Sequence, residues 1–139
     1  MGCASTVSRV LVIHLDTSLL VDALTGPRRS GRALRQAIEQ GERIAISTLV
    51  LYEWLRGPRV ESELLDQEEL LPPEEAVSFG HREARLAAQL YRRVPRARGR
   101  ELDLAVAACA LTHGASLWTL NTGDFRDVPG LGLHRASGR

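Results

Sequence analysis

The chain has 139 residues, of which 44% are hydrophobic and 25% charged, and its formal net charge is +1. This length and composition suit one folded domain and exclude a disordered or fibrous chain. The small net charge excludes a uniformly basic nucleic-acid-binding chain, but all of its basic residues are arginine, a good phosphate ligand that can form local patches.

No apolar run approaches the roughly 20 residues that a bilayer-spanning helix needs. The first ten residues, MGCASTVSRV, lack the hydrophobic region of a signal peptide. Two distant cysteines, Cys3 and Cys109, make no disulfide framework. We therefore expect a cytoplasmic protein without a membrane segment. We also expect a single domain over 1–139, with flexible ends at 1–8 and 135–139.

Strand and helix patterns alternate along the chain. Short apolar runs predict strands at 9–15, 43–46, 75–79, 115–120 and 131–135. Apolar spacings of three and four residues, bounded by Ser, Thr, Gly or Pro, predict helices over about 18–25, 29–40, 47–55, 60–71, 80–94 and 101–113. The strands lack clean alternation, which is typical of burial on both faces. We therefore predict a three-layer α/β/α fold around a parallel sheet of about four to five strands.

Four acidic residues are predicted to meet at one edge of this sheet. Asp16 ends the first strand and Asp124 follows strand 115–120, and ligands of parallel sheets bind outside the carboxyl ends of the strands. Asp103 opens helix 101–113, and Glu53 lies in the helix after strand 43–46. Close carboxylates repel one another, and a hard divalent cation such as Mg²⁺ or Mn²⁺ relieves that repulsion. The scattered histidines show no spacing typical of zinc.

Each acid also has a purely structural interpretation. Asp16 is in position to cap the following helix, and Asp103 to complement the dipole at a helix start. Asp124 is a typical turn residue, and Glu53 suits a solvated helix face. Arg56, three residues after Glu53, is a candidate phosphate contact and equally a solvated residue at a helix end. The residues taken singly do not decide between these interpretations.

A family resemblance rests on four stretches, LDTSLLVDAL, ISTLVLYEWLRGP, GRELDLAVAACALTHGASLWTLNTGDF and VPGL. In these stretches the sequence resembles PIN-domain ribonucleases, and specifically the VapC-type toxins of bacterial type II toxin–antitoxin pairs. The third stretch is the most specific, with a helix-opening acid, an Ala-rich helix ending in His-Gly-Ala, a strand, and T-x-N-x-x-D-F. Residues 58–80 and the first nine residues carry little of the resemblance.

The resemblance implies a PIN-like fold and a metal-dependent endoribonuclease, a hydrolase that cleaves RNA phosphodiesters with a metal-activated water. The implied catalytic residues are the four acids, Asp16, Glu53, Asp103 and Asp124. Among these it implies Mg²⁺ or Mn²⁺ ligation by Asp16 and Asp103, with Asp124 and Glu53 completing the site directly or through water. Ser18 and Asn121 lie in the matching motifs and are candidates for orienting water or substrate. The implied partners are RNA, a cognate antitoxin protein and a second copy of the chain in a homodimer.

Two other classes of function stay open. A non-catalytic nucleic-acid-binding or receiver-like α/β module would use the acidic pocket only to hold a cation, although a receiver needs a lysine and this chain has none. A structure-specific DNase or phosphatase on a related fold would keep the chemistry and change the substrate. A partner helix would need an apolar groove. The candidate residues for it are also expected in the core: Leu19, Leu20, Leu51, Trp54 and Leu55.

Several other residues are predicted to be structural. Trp54 is expected in the core or at a partner contact, because base-stacking surfaces usually carry several aromatic residues. His14 lies inside a predicted strand. Cys109 is expected on the apolar face of helix 101–113 together with Leu102, Ala105 and Val106, as a small buried residue and not a reactive thiol.

Overall fold

A computed structural model describes residues 12–136 of the chain. Cys3, the predicted flexible end at 1–8 and the first residues of the predicted strand 9–15 lie outside the described residues, as do residues 137–139 of the other predicted end. The strands are β1 (Val12–Leu15), β2 (Arg43–Ala45) and β3 (Ser116–Trp118). The helices are α1 (Thr17–Leu24), α2 (Gly31–Glu39), α3 (Thr48–Arg56), α4 (Glu61–Leu70), α5 (His81–Arg93) and α6 (Glu101–Thr112).

The three strands form a parallel sheet in the order β2-β1-β3. In its register Ile13 of β1 pairs with Ile44 on one side and Ser116 on the other. All three strands therefore run in the same direction, and their carboxyl ends reach the same edge of the sheet. The predicted three-layer α/β/α architecture with a central parallel sheet is confirmed.

The predicted number of strands is wrong, because the described residues form a sheet of three strands and not four to five. The segment 75–79 follows two prolines, which fix the backbone and lack an N–H donor, and it begins at a 3₁₀ turn, Pro73–Glu75. Within this segment only Val77 pairs with the sheet, through an isolated parallel bridge to Ser47. The segment 131–135 likewise makes one isolated bridge, between Leu133 and Leu117. Both segments lie beside the outer strands of the sheet but pair over too few residues to form strands.

Helix α6 lies at the centre of the packing. Its residues 104–110 are all buried, so burial extends beyond the predicted apolar face to the whole circumference of the helix. Buried alanines allow close approach on every side, and a helix that is apolar all round is typical of a buried position. α5 packs along α6, whereas α1 contacts α2, α3 and α4. One continuous cluster of buried apolar side chains joins the sheet to these helices.

Local sequence signals mark where helices begin and end. Ser47 is the N-cap of α3, and its hydroxyl accepts a hydrogen bond of 3.2 Å from the Val50 N–H, as predicted for this Ser-Thr pair. Gly114 follows α6 with a positive φ of 64°, a conformation that glycine adopts without steric cost. Among the helices of residues 12–136, none has the length and apolar character required to cross a membrane.

Candidate active site

Asp16 lies where β1 ends at the edge of the sheet. Its backbone N–H donates to the Trp118 carbonyl oxygen at 2.9 Å, which continues the pairing of β1 with β3. Asp16 has extended N-cap geometry at the start of α1, but its side chain makes no capping hydrogen bond. The capping interpretation of this carboxylate is therefore wrong, and its burial at 6% exposure needs another explanation.

Two hydroxyl groups hold the Asp16 carboxylate. Ser18 Oγ donates to Asp16 Oδ2 at 3.0 Å, and Thr119 Oγ1 donates to the same oxygen at 2.7 Å. Each hydroxyl also accepts from a backbone N–H, Ser18 from Leu120 at 3.0 Å and Thr119 from Asn121 at 2.9 Å. The segment that follows β3 is thereby tied to the start of α1. Asp16 Oδ2 accepts a hydrogen bond from each of the two hydroxyl groups.

Glu53 approaches the same edge from α3. Its Oε1 accepts a hydrogen bond of 2.5 Å from Thr17 Oγ1, next to Asp16 in the chain. Its Oε2 lies 3.6 Å from an Arg56 guanidinium nitrogen, and the guanidinium also covers the Tyr52 ring at 5.1 Å from its centroid. Glu53 is therefore held by a hydroxyl and a cation, and its interpretation as a freely solvated residue is wrong.

Asp103 and Asp124 complete the acidic cluster. Asp103 lies partly buried in the first turn of α6, and Asp124 ends the exposed 3₁₀ turn Thr122–Asp124 after β3. Burial raises the pKa of Asp103 to about 6, and the negative charges of Asp16, Asp124 and Glu53 add to this rise. The field of all three acids reaches Asp103, so the four carboxylates from four segments occupy one neighbourhood.

The cluster does not form a closed cage of protein ligands. Within residues 12–136, no three His, Cys, Asp or Glu side chains are placed to hold a metal ion together. The oxygen donors nevertheless suit a hard cation, because Mg²⁺ is commonly bound by one or two carboxylates and completes its shell with waters and substrate phosphates. The donor chemistry therefore fits Mg²⁺ or Mn²⁺ better than zinc, which prefers nitrogen and sulfur ligands.

The weaker candidates have distinct surroundings. Ser18 contacts Asp16 directly, whereas Arg56 contacts Glu53. Asn121 is exposed at the start of the 3₁₀ turn, and its carbonyl oxygen accepts from the Asp124 N–H at 2.9 Å. Sequence analysis missed Thr17 and Thr119 as residues that hold the acids. Both stand in quoted motifs, as the Thr of LDTS and the Thr of T-x-N, and these were the only signals for them.

The residues predicted to be structural are buried. Trp54 is completely buried and the Arg59 guanidinium covers its ring at 4.2 Å, so it belongs to the core and is not available for base stacking. Cys109 is buried and free, and burial raises the pKa of its thiol to about 11. Because the thiolate is the reactive form, Cys109 is inert near neutral pH.

The chain matches known proteins in sequence. The model of the PIN domain family matches residues 13–131. Over 124 residues the chain is 34% identical to Ribonuclease VapC19 of Mycobacterium tuberculosis, in the strains CDC 1551 / Oshkosh and ATCC 25618 / H37Rv. That alignment covers 84% of this chain and 94% of the mycobacterial protein.

Solved structures share the fold. One similar chain occurs in DNA-bound VapBC from Salmonella typhimurium, with a TM-score of 0.73 and 21% identity, covering 90% of this chain and 98% of that chain. Another occurs in VapBC2 from Rickettsia felis bound to a promoter DNA fragment (TM-score 0.69, 23% identity, 89% and 98%). A third occurs in a toxin–antitoxin complex from Klebsiella pneumoniae (TM-score 0.67, 23% identity, 91% and 99%). Sequence and fold agree, and this chain therefore belongs to the PIN-domain family, in its VapC-type group.

Proposed function

We propose that this protein is a Mg²⁺- or Mn²⁺-dependent endoribonuclease and the toxin of a toxin–antitoxin pair, acting in the cytoplasm. The observation that carries the proposal is the placement of four carboxylates from four segments at the carboxyl edge of the sheet, where burial and the three other acids raise the pKa of Asp103. A group of acids that disfavour one another's charge is typical of a functional site. The name of the mycobacterial relative, Ribonuclease VapC19, supports RNA as the substrate.

The acids have separate roles in this proposal. Asp16, Asp103 and Asp124 would hold the metal, which when bound lowers the pKa of a water and neutralises charge on the phosphate. Asp16 has Oδ2 committed to Ser18 and Thr119, which leaves Oδ1 as its oxygen for ligation. Glu53 is the candidate general base, and the Thr17 hydroxyl keeps its carboxylate at the edge of the sheet.

Other polar groups would orient the substrate. The Arg56 guanidinium is partly exposed beside Glu53 and suits contact with an RNA phosphate. Asn121 presents an exposed amide next to the turn that carries Asp124. Ser18 acts mainly through Asp16, because its hydroxyl hydrogen bonds to that carboxylate and to the Leu120 N–H.

RNA cleavage tests the proposal. We expect single-stranded RNA to be cut with Mg²⁺ or Mn²⁺ and not with excess EDTA, and Asp16→Asn or Asp103→Asn to lower the rate by about a thousandfold or more. Glu101→Gln is the matched control, because Glu101 is an exposed acid in the same first helical turn as Asp103 and lies outside the proposed cluster. Duplex RNA and DNA substrates distinguish an RNase from a DNase. Binding of RNA without scission under any divalent metal would favour a non-catalytic binding module.

An antitoxin partner is part of the proposal. The structures of the relatives from Salmonella, Rickettsia and Klebsiella are toxin–antitoxin complexes. Of the groove predicted from sequence, Leu19, Leu20 and Trp54 are fully buried and unavailable. A different apolar groove lies between α1 and α2, with arginines at its rim. Its lining includes Ala23, Leu24, Leu34 and Ile38, and the rim arginines are Arg28, Arg32 and Arg35.

This groove suits a helix with aliphatic anchors and flanking carboxylates. We expect Ile38→Glu to weaken binding of the protein encoded by a neighbouring gene at least about tenfold, since it places a charge in the apolar contact. Leu65→Glu is the control, because Leu65 is an exposed leucine that does not line the groove. Equal loss of binding in both variants would refute the groove assignment. Light scattering on the purified chain tests the homodimer.

A further inference from the structure

Arg100 is an arginine whose side chain lies against the protein and not in solvent. It precedes α6 as its N-cap residue, three positions before Asp103, and its side chain is 19% exposed. The neighbouring arginines at positions 92, 93, 96 and 98 are all exposed. Along the chain Arg100 is the last residue of this cluster of arginines. The structure separates Arg100 from that cluster.

The Arg100 guanidinium makes four hydrogen bonds to three residues. Its Nη1 donates to the Pro95 carbonyl oxygen at 3.1 Å and to Asp127 Oδ2 at 3.1 Å. Its Nη2 donates to the Asp124 carbonyl oxygen at 2.8 Å and to Asp127 Oδ1 at 2.7 Å. The pairing with Asp127 is bidentate, a geometry that the planar fork of arginine provides and the ammonium of lysine does not.

These contacts join two segments of the acidic cluster. Arg100 lies at the start of α6, which carries Asp103, whereas its acceptors Asp124 and Asp127 belong to the loop after β3. Asp124 lies in a short 3₁₀ turn whose residues are exposed, and the apolar anchors of this loop, Phe125 and Val128, follow the turn. The hydrogen bond to the Asp124 carbonyl oxygen therefore acts on the backbone of a residue whose charge reaches Asp103.

We propose that Arg100 and Asp127 form a positioning pair that fixes the Asp124 turn against the start of α6 and so sets the spacing of Asp103 and Asp124. The pair is proposed to act within the protein, because four of the five N–H donors of the Arg100 guanidinium are already engaged by protein acceptors. Its consequence for cleavage rests on the proposed nuclease function, whereas its consequence for the loop does not. Small errors in the position of catalytic groups are costly, with about a hundredfold loss for a misplacement near 1 Å.

Hydrogen exchange on the metal-free, RNA-free protein tests the pair. We expect Arg100→Gln and Asp127→Asn each to speed amide exchange over residues 122–128 by about tenfold or more, because the loop loses its attachment to α6. Arg126→Gln is the matched control, since it removes an exposed guanidinium from the same loop and should leave exchange unchanged. Unchanged exchange in either of the first two variants would overturn the proposal.

Steady-state kinetics separates positioning from RNA contact. We expect Arg100→Gln and Asp127→Asn to lower kcat about 10- to 100-fold while KM for RNA changes less than about twofold. Arg100→Lys keeps the charge but lacks the fork, so we expect it not to restore kcat. Full activity of Arg100→Lys, or a raised KM with kcat retained, would refute the positioning role. A wild-type protein that cleaves no RNA but shows the expected exchange pattern would instead refute the nuclease and leave the pair intact.

Discussion

Helix α6 begins beside carboxylates and ends beside imidazoles. At its first turn, burial and three neighbouring acids raise the pKa of Asp103 to about 6. Beyond its last turn, the ring of His113 lies 6.0 Å from that of buried His14, centroid to centroid. Burial and the charge of His113 lower the pKa of His14 to about 4. Near pH 5 both Asp103 and His14 are therefore mainly neutral, through shifts in opposite directions.

At pH 7 the two ends of α6 differ in the charge of these two residues. His14 stays neutral at that pH, so the imidazole end needs no ligand to offset a charge. Asp103 ionises there and joins three other acids, while the Arg100 charge offsets this repulsion only in part. The positive end of the helix dipole also favours anions at this position. A cluster of acids that remains electrostatically unfavourable near pH 7 is typical of a functional site, whereas the neutral His14 needs no counter-charge.

The largest expected effect comes from removing charge at the acidic end. We expect Asp103→Asn to abolish cleavage and yet raise the free energy of unfolding of the metal-free protein at pH 7 by about 1–3 kcal/mol. The raised pKa of Asp103 means that its ionised form is less favourable in the fold than in the unfolded chain, and one pKa unit corresponds to about 1.4 kcal/mol. Urea unfolding at pH 7 in EDTA measures the change, with Glu101→Gln as control. A destabilised Asp103→Asn protein would contradict the electrostatic account.

The pH dependence of stability sharpens the contrast between the two ends. Between about pH 4 and 6.5, the unfolded chain binds the His14 proton and the folded chain does not, so this group makes stability rise with pH. Between about pH 4 and 6 the folded chain holds the Asp103 proton and the unfolded chain does not, so stability falls with pH. The two contributions oppose each other in the wild-type protein.

Single substitutions should reveal each slope. We expect the stability of Asp103→Asn to rise by about 2–3 kcal/mol more than that of the wild type between pH 4 and 6.5, because the opposing contribution of Asp103 is gone. His14→Gln should instead lose stability over pH 4 to 6. Urea unfolding at several pH values measures both profiles. Parallel profiles for the two variants would refute the assignment of the opposed shifts.

A smaller effect is expected from the hydroxyl that holds Asp16. Thr119→Val keeps the side-chain shape but removes the donor to Asp16 Oδ2 and the acceptor for the Asn121 N–H. We expect a loss of about 1–2 kcal/mol in stability and at least about tenfold in kcat. Thr112→Val is a control, because Thr112 donates only to a carbonyl within α6, far along the helix from Asp103. Equal kcat for Thr119→Val and wild type would exclude a positioning role for Thr119.

The smallest effect is expected at Arg56. Arg56→Gln removes a partly exposed cation beside Glu53, so we expect KM for RNA to rise about two- to fivefold, with a weaker salt dependence of binding. The control is Arg85→Gln, an exposed arginine of α5. An unchanged KM and salt dependence would assign Arg56 to Glu53 and not to the substrate.

The sequence predicted much of the fold because its signals are local. Strand-like apolar runs alternate with helical spacing, and Ser47 caps α3 as its sequence context indicates. Segments 75–79 and 131–135 were predicted as strands because their composition resembles one, but each makes a single bridge. The all-round burial of α6 depends on how closely α5 packs, which a helical apolar pattern does not encode.

The candidate site was only partly predictable for the same reason. The four acids could be proposed because each follows a recognisable strand end or helix start. Their hydroxyl partners could not, since Thr119 meets Asp16 across 103 positions and Thr17 meets Glu53 across 36. The role of Arg100 depends on a bidentate contact with Asp127, 27 positions away. Contacts at such separations follow from the tertiary fold and leave no local spacing to detect.

Titration calorimetry with Mn²⁺ at pH 7 tests most directly whether the acids at the sheet edge hold a divalent cation together. We predict that wild-type protein and Glu101→Gln bind Mn²⁺ with the same affinity, and that Asp16→Asn and Asp103→Asn each weaken binding at least about tenfold. Circular dichroism confirms that the variants are folded. Folded Asp16→Asn and Asp103→Asn proteins that bind Mn²⁺ as tightly as wild type, or a wild-type protein that binds none, would contradict the account.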